Sequence, residues 1–295
     1  FINSVPRLLP RLSIVHLAMA NVAVVIDGAS NIGYQVLKKL IKCYHGKIYF
    51  TTEDKLAGYK ILDELKIGDV ELFYHQLDVT DTHSIIDFRH YIQDTETGID
   101  LLINNTEYNP KGKKLTQAEK VRRILNVNFY GNLNLGKLLY PLLNENARVV
   151  NVSGPAGLLA TIPSEEKRSR ISDPNLNEDG LVYIMQEYEA AVQRGVETQQ
   201  GWGSSGFAMS KVALNALTFL QHREWSGKGI VINCVNPGHI TSKVERKSSR
   251  IYEEGADSII YLATEAPLHI NGNFVWSNYA VIEWNSDPFL EVTRV

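Results

Sequence analysis

Gly28-Ala29-Ser30-Asn31-Ile32-Gly33 is a glycine-bearing run between an apolar segment and an amphipathic one. Such a turn, where a strand enters a helix, lets backbone amides approach a pyrophosphate. Glycines also serve βα turns for steric reasons alone, so the run by itself is a weak signal. Further polar residues recur at the ends of apolar runs: Asp78, Asn104-Asn105, Asn151-Val152-Ser153, and Asn236-Pro237-Gly238 with Thr241 beyond. Asn128 and Lys211 sit in helical patterns. Each has a structural reading as well. Asp78 suits a helix cap, Asn236–Gly238 a turn, and Lys211 a partly buried lysine held by a strand-end carbonyl or by Asn128. The eight histidines and two cysteines lack metal-ligand spacing, and neither a GxSxG elbow nor a P-loop lysine occurs.

The elements that must position these groups alternate regularly. Short apolar runs at 23–26, 47–50, 70–75, 100–103, 148–152, 229–235 and 273–276 read as about seven strands. Between them lie amphipathic stretches, among them a long helix from Ala118 to about Leu139 and another from Ser205 to Trp225. Strands that are apolar throughout, alternating with helices, imply an α/β fold with a parallel sheet covered on both faces. The one shift in composition, 163–203, reads as an insertion. Its first half is polar and turn-rich, and a helix follows from Glu178 to about Arg194. The expectation is a single domain over 19–295, with 1–18 as an extension outside it. That extension carries two arginines and two prolines, and a transit peptide is its alternative reading.

Composition narrows the function classes. A net charge of −3 with 44% hydrophobic residues is ordinary globular composition, and it argues against a broad nucleic-acid surface. No apolar run reaches the roughly 18 residues of a membrane span. Two distant cysteines make no disulfide framework, so a reducing, cytoplasmic location is expected.

Taken in order, the motifs HQLDV, LLINN, NVNFYG, VVNVSG, SSGFAMSK and NPG resemble the short-chain dehydrogenase/reductase family over about Asn21 to Trp284. The insertion before SSGFAMSK, the run YEEGADSIIYLA and the tail NGNFVWSNYAVIEW are similar to the monomeric carbonyl reductases. The resemblance implies a Rossmann-like doubly wound parallel sheet and NADPH-dependent reduction of ketones, aldehydes or quinones. It further implies a tyrosine that protonates the carbonyl oxygen, a serine that orients it, a lysine that lowers the phenol pKa and holds the ribose, and an asparagine supporting a proton-relay water. By the same resemblance Gly28, Ser30, Asn31, Ile32, Gly33, Asp78, Asn104, Lys211, Pro237, Gly238 and Thr241 are the cofactor-binding candidates.

Residue by residue, the chain departs from that pattern. The tyrosine position is Phe207, four residues before Lys211, and the serine position is Gly154, with Ser153 one place earlier. Asn128 and Lys211 remain. The T-G-x-x-x-G-x-G turn reads as one residue short, with Asp27 for threonine and Asn31 for the middle glycine. Glu53 stands where NADPH-using members often carry arginine, and N-N-A-G has become Asn104-Asn105-Thr106-Glu107. The expected function is therefore a catalytically degenerate carbonyl-reductase-like protein, acting as a non-catalytic structural or binding subunit with protein partners. NADP or NAD binding is expected to be weakened or lost, with no metal, no nucleic acid and no membrane, and with a monomeric fold unit. The alternative is an NAD(P)H-dependent oxidoreductase acting on carbonyls or quinones through an atypical site.

Overall fold

Strand β1 (Asn21–Ile26) sends Ala23 and Val25 to one side and Val22, Val24 and Ile26 to the other, all of them buried. A strand apolar on both faces must lie inside a sheet covered twice. The remaining elements follow as α1 (Asn31–Cys43), β2 (Gly46–Thr52), α2 (Lys55–Leu65), β3 (Leu72–Gln76), α3 (Thr82–Thr95) and β4 (Ile99–Asn104). Next come α4 (Gln117–Leu125), a π-helical turn (Asn126–Gly131), α5 (Asn132–Leu139), β5 (Leu143–Val152), α6 (Glu165–Ile171), α7 (Glu178–Gln193) and α8 (Gly206–Trp225). The last are β6 (Val231–Val235), α9 (Ser249–Ile260), β7 (Phe274–Val275) and β8 (Val281–Ile282). This computed structural model describes residues 21–285 apart from 67, 111, 113 and 239–248, so the extension 1–18 and Thr241 lie outside the described residues.

The helices start where side-chain oxygens meet free backbone N–H groups. Ser30, Asp54, Asp81, Asn177 and Ser205 cap α1, α2, α3, α7 and α8. Thr116 and Glu119 form a reciprocal capping box on α4. Asp78 is not the cap of α3. Its carboxylate instead ties the N–H and hydroxyl of Thr80.

The sheet runs 3-2-1-4-5-6-7-8, with β1 to β7 parallel and β8 antiparallel to β7. It thus has eight strands rather than the seven expected. The two-residue β8 carries too little apolar pattern to stand out from its turn. One face packs on α1 and α9 through Val36, Leu37, Ala256 and Ile259. The other packs on α3 and α5 through Ile85, Phe88, Leu135 and Leu139. A third cluster joins α4 and α8 to the 163–203 segment, where Leu181, Ile184, Met185 and Tyr188 of α7 are buried. Near the C-terminus, the Trp284 indole N–H donates to the Gly157 carbonyl at 2.7 Å. The Leu159 N–H returns a bond to the Trp284 carbonyl at 3.1 Å.

Candidate functional site

The strand order reverses on either side of β1, whose neighbours are β2 and β4. In doubly wound sheets the crevice beyond the strand C-termini at such a switch point is the ligand site. A cleft of about 580 Å³ opens there. Asp27, Ser30, Glu53, Asp78, Glu107 and Arg123 line it, with Ala57, Leu77, Val79, Tyr108 and Val127 supplying apolar wall.

The turn from β1 into α1 is built by close approach. A Cβ on Gly33 would collide with the Asp27 carbonyl, and one on Gly28 would press on Phe50. Asp27 itself has φ of 55°, the left-handed region that glycine favours. The turn therefore aligns with T-G-x-x-x-G-x-G without a gap: Ile26 takes the threonine place, Asp27 the first glycine and Asn31 the second. The one-residue gap expected from the sequence disappears, because Asp27 adopts the backbone of the residue it replaces. Ser30 caps α1 through the Gly33 N–H at 3.1 Å, and the Asn105 amide donates to Ser30 Oγ at 2.7 Å and to the Asp27 carbonyl at 3.1 Å. The first N–H groups of α1 are thus partly satisfied from within the chain.

The electrostatics of the cleft are lopsided. Asp27, Glu53, Asp54, Asp78 and Glu107 bring five carboxylates, against the single guanidinium of Arg123 among the described lining residues. Burial, helped by the charges of Glu53 and Glu107, pushes the Asp27 carboxyl from its ordinary 3.8 up to about 7.

Lys211 lies on α8 and is wholly buried. Its ammonium donates to the Val152 carbonyl at 3.2 Å, pairs with Glu107 Oε2 at 3.1 Å, and rests 5.5 Å from the centre of the Phe207 ring. The strand-end carbonyl is the partner one structural reading expected. The burial is complete rather than partial, because Glu107 supplies a counter-charge that sequence distance hides. Gly154 has extended backbone, and a Cβ built on it would meet nothing within 4 Å. Ser153 Oγ is buried beside Gly157 and has no hydrogen-bond partner.

Asn128 occupies the π-helical turn between α4 and α5. Its Oδ1 accepts from the Tyr108 N–H at 2.7 Å, while Nδ2 donates to the Tyr108 carbonyl and to Ser210 Oγ. The Asn132 amide donates to the Asn128 carbonyl at 2.9 Å. A π-turn disturbs the regular ladder, and Asn132 satisfies the carbonyl at that point. Asn128 does not bond to Lys211. It staples the loop after β4 to α8.

Of the candidates from sequence, Ser30 and Asp78 line the cleft, and Gly28 and Gly33 shape its floor. Asn31 is exposed at the start of α1, while Ile32 turns into the core. Asn104 does not line the cleft. It is buried, and its amide crosses to Asn151 Oδ1 at 2.8 Å, its register partner on β5. Pro237 and Gly238 follow β6, where the Gly238 N–H donates to Asn236 Oδ1 in a local turn. Asn105, Asp54 and Arg123 were not among the cofactor-binding candidates from sequence. The signal for Asn105 was its place as the second residue of an Asn-Asn pair at a strand end.

A doubly wound sheet with this order, a glycine turn into α1, and an asparagine, a lysine and an Asn-Pro-Gly turn at the strand ends is the arrangement of the short-chain dehydrogenase family. The model of that family, described as short chain dehydrogenase, matches residues 21–164, and the chain is similar to it. The chain is also carbonyl-reductase-like. Carbonyl reductase (NADPH) 1 of Homo sapiens is 29% identical over 257 residues, spanning 84% of this chain and 92% of the relative. The Bos taurus protein of that name is 27% identical over 284 residues, spanning 91% and 100%. Among solved structures, menthone neomenthol reductase from Mentha piperita matches with a TM-score of 0.75 at 22% identity, over 88% of this chain and 99% of that one. Salutaridine reductase from Papaver somniferum matches at 0.74 and 22%, over 86% and 99%. At that identity the likeness of the two structures concerns the fold.

Proposed function

We propose that this chain is a catalytically degenerate carbonyl-reductase-like protein that serves as a non-catalytic binding or structural subunit. One observation carries the reading: the ring that faces the buried Lys211 ammonium is the hydroxyl-free Phe207, and Gly154 leaves empty space where the family motif has its serine. A general acid is worth roughly 10²–10⁴ in rate and an oxyanion donor about 10²–10³. Losing either group is severe, and groups that act as a unit do not simply add.

The residues present also fit NADP poorly. Two relatives named above carry NADPH in their names, whereas here a carboxylate holds the first glycine position of the phosphate turn. Glu53 and the capping Asp54 follow β2, where a 2′-phosphate needs a cation. With catalysis set aside, the surface of the insertion is the face for a protein partner, with Tyr183 of α7 exposed on it. Cys43 and Cys234 are both free thiols, which agrees with a reducing, cytoplasmic setting.

Titration of the full chain with NADPH and NADH tests this reading, followed by nicotinamide fluorescence and melting temperature. A ligand at about 100 times its Kd stabilises by about 2.7 kcal/mol, which is easily seen. The expected result is no such shift with either dinucleotide and no ketone reduction. Ketone turnover at saturating NADPH overturns the reading. The second reading, quinone reduction through an atypical site, draws on the retained Lys211 and Asn128. It predicts tight NAD(P)H binding and hydride transfer to a quinone without ketone turnover.

A further inference from the structure

Lys211 has no exposed surface, and a buried ammonium needs a counter-charge. Of its neighbours, the Val152 carbonyl belongs to the buried end of β5, and the Phe207 ring is half-buried and carries no charge. The third is Glu107, whose side chain is 51% exposed, lines the cleft, and reaches Lys211 with Oε2 at 3.1 Å. Lys211 itself is not among the residues lining the cleft. Glu107 therefore stands between the cleft and the one buried ammonium next to it. We propose that Glu107 is a built-in occupant of Lys211, closing the inner end of the cleft to nucleotides that carry phosphate. This rests on the reading above, that the cleft rejects dinucleotides, and it names the residue responsible.

Glu107 and a phosphate compete for the same cation. A carboxylate tethered beside its cation acts at an effective concentration of order millimolar or above, so a free ligand must outcompete it continuously. The same carboxylate adds its charge to those of Asp27 and Glu53, against any phosphate approaching the turn into α1. Glu107 thus acts twice, by holding Lys211 and by repelling the phosphates. Asp54 and Asp78 add less, because their carboxylates are engaged with the N–H groups of α2 and with Thr80. Arg123 is the cation on the other side of the balance, and it remains in place in every variant below.

The test uses the full chain as wild type, Glu107→Ala and Glu107→Gln. NADPH, NADH and inorganic phosphate are the probes, and melting temperature and nicotinamide fluorescence are the readouts. Glu107→Ala is expected to melt below the wild type, because Lys211 loses its counter-ion. It should recover several degrees with millimolar phosphate or dinucleotide, concentrations that leave the wild type unmoved. Both variants should bind NADH at least tenfold more tightly than the wild type. Glu107→Gln keeps the side-chain volume, so it serves if the alanine variant does not fold. If the wild type binds neither dinucleotide and the variants bind no better, the occlusion falls while the reading of the cleft stands. If the wild type binds NADPH or NADH tightly, both fall together.

Discussion

Replacing Asp27 by asparagine should stabilise the protein at neutral pH and do almost nothing in acid. Asparagine has the same size and is at ease in the left-handed backbone that Asp27 adopts, so the variant removes charge and little else. Burial with Glu53 and Glu107 nearby raises the carboxyl from 3.8 to about 7. Between those two values the native state holds a proton that the unfolded chain has lost. Stability therefore falls as pH rises from about 4 to about 7 and is flat above. Each pKa unit is worth about 1.4 kcal/mol, so a shift of about three units makes ionised Asp27 cost up to about 4 kcal/mol. For a chain of this length, that corresponds to a difference in melting temperature on the order of 10 °C. Urea unfolding of both proteins at pH 4.5 and pH 8 reads the effect directly. The gap in favour of Asp27→Asn should be small in acid and open by several kcal/mol at pH 8. A gap that does not change with pH would refute the account of the turn as a buried carboxylate forced into a glycine's place.

Two further outcomes follow from the same geometry. Phe207→Tyr combined with Gly154→Ser should restore measurable ketone reduction once a dinucleotide is bound, in the Glu107→Ala background if the wild-type cleft stays closed. The open space around Gly154 should keep the cost of its serine within about 0.5 kcal/mol, and complete inactivity with cofactor demonstrably bound would show that these positions are not the lesion. Asn128→Ala should lower stability by about 1–3 kcal/mol for each buried group left unpaired, chiefly the Tyr108 N–H, and hydrogen exchange at Tyr108 should speed up accordingly.

The α/β class and strand succession were legible because the central strands are apolar on both faces and helices such as α1 are amphipathic. Boundaries were less so. β5 begins at Leu143, five residues before the apolar run, since its first turn of chain carries Asn144, Glu145 and Asn146. β4 pairs with Leu143 and again from Arg148, so that polar stretch falls in the shift of register between Ile99 and Leu101, where the Asn144 amide donates to Asp100 Oδ1 at 2.9 Å. Helix α6 was hidden in the turn-rich half of the insertion, where seven residues with a capping Ser164 leave little periodicity to read. In the site, Phe207 and Lys211 could be paired from the sequence because helical spacing brings them onto one face. The Glu107–Lys211 pair could not, because only the packing of the β4 loop against α8 joins them. Asn104 read as a ligand residue for the opposite reason. Its motif is the same whether its amide faces a cleft or, as here, the neighbouring strand.

The bond from Trp284 to Gly157 spans 127 residues of chain. During synthesis the segment after β5 is therefore exposed long before its partner exists. The strands of the site, from β1 to β5, can be in place while the tail is still to be translated. Long-range closures of this kind are made late and slowly. The rim formed by 155–161 thus gains these two bonds only once Trp284 has been made, and a chain cut short of Trp284 carries a nearly complete sheet with this edge still open.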